Sequence, residues 1–231
     1  MCKNGFINVV FVIDESGSMS GTESDVIGGF RRVVDEQKEI KEGTCSVSYY
    51  KFNSKVTEVY KGKNVNEVGY IDDEYKPGGC TALFDAVGTA IDEIGKWLDS
   101  MDESEKPEKT VIVVMTDGGE NSSVEYSAAR VREMIKEQED KYNWSFVYMG
   151  SDLTDAQDAN SLGITTRAFA KKSAYLGNYD MINSSISAYR YCTGSASEKN
   201  LAFTTSLSES CENATREYAN ENNLNADDLL S

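Results

Sequence analysis

The regular alternation of short apolar runs with amphipathic segments through residues 6–170 constrains this chain more than any other feature. A short, continuously apolar run reads as a strand buried on both faces, and apolar residues recurring every three or four positions read as a helix with one buried stripe. Strands and helices in strict alternation close most simply as a parallel sheet with helices on both faces. The expected fold is therefore α/β: a doubly wound, Rossmann-like, mostly parallel sheet.

The first predicted strand, residues 6–13 (FINVVFVI), runs straight into the turn 14–21 (DESGSMSG). A helix follows, with Val26, Phe30, Val33, Val34, Gln37 and Ile40 at near-helical spacing; Gly28 and Gly29 inside it suggest close packing on the sheet. Residues 45–52 alternate as a half-buried strand, and 55–60 read as its antiparallel hairpin partner at the sheet edge. Residues 61–76 form a connection ending in Pro77, Gly78 and Gly79, before a helix carrying Leu83, Phe84, Val87, Ile91, Ile94 and Leu98. Residues 110–116 are a central strand and 117–122 a turn. Then come a helix with Ala128, Val131, Ile135 and Gln138, a strand at 144–149, a short helix at 155–162 and a last strand at 166–169.

Beyond residue 170 the pattern weakens. Residues 175–191 predict one more helix, with Leu176, Met181, Ile182, Ile186 and Tyr189 facing the sheet. Residues 193–231 are polar and acidic, with a weak helical stretch over 209–221 and an exposed end. The chain is accordingly expected to divide into one α/β domain, 1–192, and an acidic C-terminal extension, 193–231; 231 residues suit one such domain better than two.

Thirty-nine acidic against 23 basic residues give a formal charge of −16. Such a surface repels nucleic acid and anionic lipid alike. Cys2, Cys45, Cys80, Cys192 and Cys211 are odd in number, scattered and without a C-x-x-C pair, a pattern that fits a reducing compartment rather than a disulfide framework or a zinc cluster. The apolar run near the N-terminus is too short for a membrane span and lacks a cleavage site. The expected location is cytoplasmic, and the N-x-S/T matches at Asn121, Asn143, Asn183 and Asn213 then carry no glycosylation message.

In an open α/β sheet, ligands bind outside the carboxyl ends of the strands, where strand order reverses. Asp14 ends the first strand, Asp117 follows the second central strand, and Thr81 begins a helix after a glycine turn. With Ser16 and Ser18 they form an all-oxygen set of two carboxylates and three hydroxyls. That set suits a hard cation, Mg²⁺ with Mn²⁺ or Ca²⁺ as alternatives, rather than zinc. Each piece also has a plainer use: Asp and Ser at 14, 16 and 18 can cap a helix, Thr81 can be an N-cap, and Asp117-Gly118-Gly119 can be a tight turn. Glu15, Glu120 and Asn121 read as solvated residues on the rim, and Tyr49, Tyr50, Tyr60 and Tyr75 as core or edge packing.

Asp14-Glu15-Ser16-Gly17-Ser18 resembles the D-x-S-x-S motif of the metal-ion-dependent adhesion site in von Willebrand factor A domains. Thr81 after Gly78-Gly79-Cys80 resembles that family's threonine loop, and Asp117 in Thr116-Asp117-Gly118 its aspartate-bearing third loop. The three arrive in the family's order, and the resemblance covers roughly residues 5–170. It implies that the Ser16, Ser18 and Thr81 hydroxyls touch a divalent metal while Asp14 and Asp117 act directly or through water. It further implies a non-enzymatic module of the intracellular bacterial or phage type, working beside an ATPase-linked or stress-response complex, whose protein partner offers an Asp or Glu to the metal. The tail beyond residue 170 matches no motif of the family, and Asp227 or Asp228 in it are candidates for an internal acidic ligand.

Two other readings compete. A Mg²⁺-dependent phosphoesterase would use the same pocket, but the chain contains no histidine and no phosphate-binding glycine loop, and Ser16 stands where a phosphoaspartate enzyme has its second aspartate. A structural component of a viral or cellular assembly is the third.

Overall fold

The computed structural model describes residues 5–150, 153–169 and 175–230. Six strands lie in one sheet: β1 (Phe6–Asp14), β2 (Thr44–Phe52), β3 (Val56–Asn64), β4 (Lys109–Met115), β5 (Trp144–Gly150) and β6 (Thr166–Phe169). Their order is β3-β2-β1-β4-β5-β6. Every pairing is parallel except β2 with β3, which makes β3 the antiparallel edge. Strand order reverses between β1 and β4, so the crevice that doubly wound sheets use for ligands opens at the ends of these two strands.

The period of two along each strand divides the core. Ile7, Val9, Phe11 and Ile13 of β1, with Val111, Val113 and Met115 of β4, face one layer of helices. Val10 and Val12, with Ile112 and Val114, face the other. The first layer holds α1 (Glu23–Glu39) and α5 (Tyr175–Tyr191), which bury Val26, Phe30, Ile182 and Ile186 there. The second holds α2 (Leu83–Asp99), α3 (Ala128–Tyr142) and α4 (Leu153–Leu162), contributing Val87, Ile91, Val131 and Leu162.

Gly29 of α1 lies not against the sheet but against α5. A β-carbon there would stand 2.0 Å from Tyr179 Cδ2, whereas Gly28 faces open space. The connection after β3 is also more ordered than its composition predicts. The strand extends to Asn64, a 3-10 turn follows at Val65–Glu67, and Val65, Val68, Ile71 and Tyr75 enter the core.

The C-terminal region departs furthest from expectation. In place of a weak helix over 209–221, α6 (Ala196–Asn222) runs unbroken for 27 residues. Ser195 starts it with a reciprocal capping box to Glu198. Its buried residues Lys199, Phe203, Leu207, Cys211, Thr215 and Ala219 stand four apart, a narrow stripe easily lost in a polar sequence. Phe203, Leu207 and Cys211 join the first core layer beside α5. Lys199 Nζ, 3.3 Å from Glu108 Oε2, ties the helix to the residue before β4.

A short helix, α7 (Ala226–Leu230), follows, and Leu229 is buried against Ala219 rather than exposed. Cys45 and Cys211 are buried free thiols, pushed up to about 12 by their burial, and behave as small apolar side chains. Cys2 and the side chains of Leu176 and Asp228 lie outside the described residues. No helix among the described residues is long and apolar enough to cross a membrane.

Candidate metal centre at the strand-order reversal

Three loops meet at the ends of β1 and β4, and backbone hydrogen bonds hold them together. Gly17 N donates to Gly79 O at 3.0 Å and Gly78 N to Glu15 O at 2.7 Å, joining the first loop to the second. Asn121 N and Ser122 N both donate to Thr81 O, at 3.0 and 3.2 Å, joining the second to the third. Ala82 N donates to Asn53 O at 2.8 Å, which fixes the second loop to the end of β2.

The sequence-predicted residues sit on these loops. Asp14 is the last residue of β1, Ser16 precedes the 3-10 turn Gly17–Met19, and Ser18 lies inside it. Thr81 lies just ahead of α2, and Asp117 two residues beyond β4. Asp14, Ser16, Thr81 and Asp117 are buried and Ser18 is exposed.

Gly118 shows how closely the hydroxyls converge. A β-carbon built on it would lie 2.8 Å from Ser18 Oγ, 3.0 Å from Thr81 Oγ1 and 3.5 Å from Ser16 Oγ. Ser16 Oγ and Ser18 Oγ are themselves 2.9 Å apart. Three hydroxyl oxygens from two loops thus ring one point on the third, a point that only a residue without a side chain leaves open.

The two carboxylates share this place. Asp14 Oδ1 accepts from Ser16 N at 2.7 Å and Oδ2 from Thr116 Oγ1 at 2.7 Å. Burial pushes the Asp14 carboxyl up to about 6, against the pull of those hydrogen bonds and with added repulsion from Asp117. Behind them, the buried Tyr75 hydroxyl donates to Asp14 O at 3.0 Å. Its pKa is raised by burial first and then by the charges of Asp14, Asp117 and Glu15.

Helix capping does not account for the hydroxyls. Ser16 stands at the N-cap of the 3-10 turn and Thr22 at that of α1, and neither makes a side-chain capping bond. Thr81 is not the N-cap of α2; Ala82 is. Two carboxylates and three convergent hydroxyls fit a small hard dication, which takes oxygen donors and offsets the repulsion between buried acids.

Glu15 is not a solvated rim residue, and Glu120, half-buried, and Asn121, exposed as expected, are each tied into the loops by hydrogen bonds. Glu15 is buried, accepts from Lys76 N and lies 3.4 Å from Lys51 Nζ. Glu120 accepts from Phe84 N, Ser122 N and Ser123 N at 3.0, 2.8 and 2.7 Å, and Asn121 Oδ1 accepts from Thr81 N at 2.9 Å. Asp85 clamps the next stretch through Val124 N, Glu125 N and Tyr126 N, all at 2.8–2.9 Å. Sequence reasoning missed these supports, with Thr116 and Tyr75, because each has a partner distant along the chain: backbone groups for Glu15, Glu120, Asn121, Asp85 and Tyr75, and the Asp14 carboxylate for Thr116. The only signal was local: Asp85 is an acid in the first turn of a helix, and Thr116 a hydroxyl ending an apolar run. Asp227 pairs with Arg216 of α6 at 3.7 Å.

A doubly wound sheet with an oxygen-lined crevice at its strand-order reversal places the chain among the Rossmann-like α/β binding domains. More narrowly, the chain belongs to the von Willebrand factor type A domain family, whose sequence profile matches residues 8–206. Members of that family commonly serve as metal-dependent protein-interaction modules. No curated protein matches the chain.

Solved structures share the fold at low identity. Proximal thread matrix protein 1 of the mussel byssus is 15% identical at a TM-score of 0.57, over 78% of this chain and 46% of its own. The von Willebrand factor domain of the type V pili tip protein Mfa5 from Porphyromonas gingivalis is 12% identical at 0.60, over 82% and 97%. Manganese-loaded TRAP protein from Plasmodium vivax is 15% identical at 0.52, over 75% and 72%. The chain spans about half the length of the mussel protein.

Proposed function

We propose that the chain is a divalent-metal-dependent protein-binding module in which Asp14, Ser16, Ser18, Thr81 and Asp117 form a complete metal-ion-dependent adhesion site. The observation that carries this reading is the ring of Ser16, Ser18 and Thr81 hydroxyls about Gly118, beside two buried carboxylates. Mg²⁺ is the first expectation and Mn²⁺ or Ca²⁺ the alternatives, all being hard cations suited to oxygen donors; the manganese in the Plasmodium relative supports the class. When bound, the dication supplies an open coordination position that an Asp or Glu of a protein partner fills.

This chain's residues keep the site open and rigid. Thr116 and Ser16 N orient Asp14, Asn121 and Glu120 fix the Thr81 and third loops, and Gly118 leaves the space clear. A binding module is favoured over a phosphoesterase because the chain offers no histidine as general base. Nucleic acid and membranes are not expected partners of a chain with a net charge of −16. A cytoplasmic location fits the scattered, odd-numbered cysteines, and an intracellular bacterial or phage setting beside an ATPase-linked or stress-response complex is what the family resemblance implies.

The test is a thermal melt of wild type and Asp14→Ala in EDTA and then in MgCl₂, MnCl₂ or CaCl₂. A cation that binds only the folded chain stabilises it by about 2.7 kcal/mol at a hundred times its Kd. A rise in wild type that Asp14→Ala lacks supports the reading, and no rise with any ion at millimolar concentration overturns it. Turnover of a generic phosphoester, lost in the same variant, would move the assignment to the enzyme.

A further inference from the structure

Asp14 and Asp117 bring two negative charges to a dication, so the loaded site proposed above is formally neutral. A partner carboxylate that takes the open position gains the metal contact but meets the repulsion of a chain carrying −16. Cations on the same face offset that repulsion, and two lysines stand there.

Lys55 closes the turn between β2 and β3. In that turn Ser54 Oγ accepts from Cys80 N at 3.0 Å and Asn53 O from Ala82 N at 2.8 Å, the residues on either side of Thr81. Lys76 adjoins the first loop: its backbone N donates to the carboxylate of Glu15, the residue between Asp14 and Ser16. Both lysines are exposed, and among the described residues neither has an ion pair. The glutamates of the metal loops are engaged. Glu15 lies 3.4 Å from Lys51 Nζ, and Glu120 accepts from Ser123 Oγ at 2.6 Å besides its backbone donors. Of Asp72, Asp73 and Glu74, just ahead of Lys76, the first pairs with Arg31 and the last with Lys51. Lys51 is thus already paired, while Lys55 and Lys76 stand open to an acid from outside.

We propose that Lys55 and Lys76 form a cationic flank of the metal site, and that the partner is an acidic segment with more than one carboxylate. One carboxylate goes to the metal and at least one other to these lysines. The inference rests on the metal-dependent reading above and names the partner class for the same site. A lysine ammonium is a point charge on a flexible stem, suited to carboxylates spaced loosely along a segment rather than to one fixed geometry. Rim charges of this kind act on the rate of encounter and the choice of partner, and salt weakens them.

The test is titration calorimetry of the full chain with a hexaglutamate peptide and with a hexapeptide carrying one glutamate among serines, in MgCl₂ and in EDTA. Hexaglutamate should bind in MgCl₂ but not in EDTA, more tightly than the one-glutamate peptide, and less tightly as NaCl is added. Replacing both lysines, Lys55→Gln with Lys76→Gln, should weaken hexaglutamate about tenfold and the one-glutamate peptide little. The rise in Tm with Mg²⁺ should keep its wild-type size in that double variant. Lys136→Gln, at an exposed lysine of α3, should leave hexaglutamate binding unchanged. The proposal is overturned by hexaglutamate binding that persists in EDTA or is undiminished in the double variant, by an equal loss in Lys136→Gln, or by no binding despite a Mg²⁺-induced rise in Tm. The absence of that rise in wild type overturns instead the metal reading beneath it.

Discussion

Thr116 Oγ1 donates a 2.7 Å hydrogen bond to Asp14 Oδ2, tying the residue after β4 to the last residue of β1 across the point where strand order reverses. With Ser16 N on the other oxygen, the Asp14 carboxylate is held from both sides. Thr116 therefore acts through Asp14 rather than on a ligand itself.

Removing that hydroxyl tests its role. Thr116→Val keeps the shape but leaves a buried carboxylate oxygen without its donor, at a cost of about 1–3 kcal/mol in stability. Supporting residues of this kind are worth roughly 10- to 100-fold in metal affinity. Titration calorimetry with Mn²⁺ should show that weakening, and Thr116→Ser should restore most of it; wild-type affinity in Thr116→Val would show that Asp14 needs no such anchor.

Asp14 also sets a pH dependence. Its carboxyl is raised from the ordinary 3.8 to about 6 in the folded chain, so the folded state binds this proton more tightly than the unfolded one. Without metal, its stabilising contribution is full below about 3.8 and is lost as pH rises through about 6. A cation needs the ionised form and has the opposite trend: the stabilisation by Mg²⁺ should shrink as pH falls from about 7 to about 5. Melts across that range in EDTA and in MgCl₂ measure both slopes, and Asp14→Asn should remove both.

Gly118→Ala places a methyl group within 3.0 Å of the Ser18 and Thr81 hydroxyl oxygens. The fold should survive, since overpacking of this kind costs about 1–3 kcal/mol, but the hydroxyls must spread apart. The expected result is a native circular dichroism spectrum with little or no metal-dependent rise in Tm. A full metal response would mean that the hydroxyls do not act at that point.

The burial of α6 gives a stability prediction remote from the site. Phe203 lies edge-on to Tyr189, with ring centroids 6.5 Å apart, and is fully buried. Phe203→Ala should cost about 3–5 kcal/mol in urea unfolding, whereas the exposed Leu201→Ala should change it by less than about 0.5 kcal/mol. Equal, small effects would mean that α6 does not share the core's cooperative unfolding.

The alternation of apolar runs with helical stripes makes the sheet, its antiparallel edge and its helix layers legible, because strands such as 6–13 and 110–116 are buried on both faces and can be little else. The five candidate site residues stand out in the sequence for a related reason: they lie at the end of such an element or in the turns directly after or before one. The α6 helix is harder to read because its one-residue-in-four stripe mixes Phe203 and Leu207 with Lys199, Cys211 and Thr215, leaving little contrast with its polar faces.

What the sequence determined by itself was the set of chemical groups and the architecture that could bring them together, since burial patterns and turn residues act over a few positions. Only the tertiary structure decided that Ser16, Ser18 and Thr81 ring Gly118, that Thr116 and Tyr75 stand behind Asp14, and that Glu15, Glu120 and Asn121 are structural clamps. Those contacts join residues up to about a hundred positions apart, and a hydrogen bond of 2.7 Å leaves no trace in composition or periodicity.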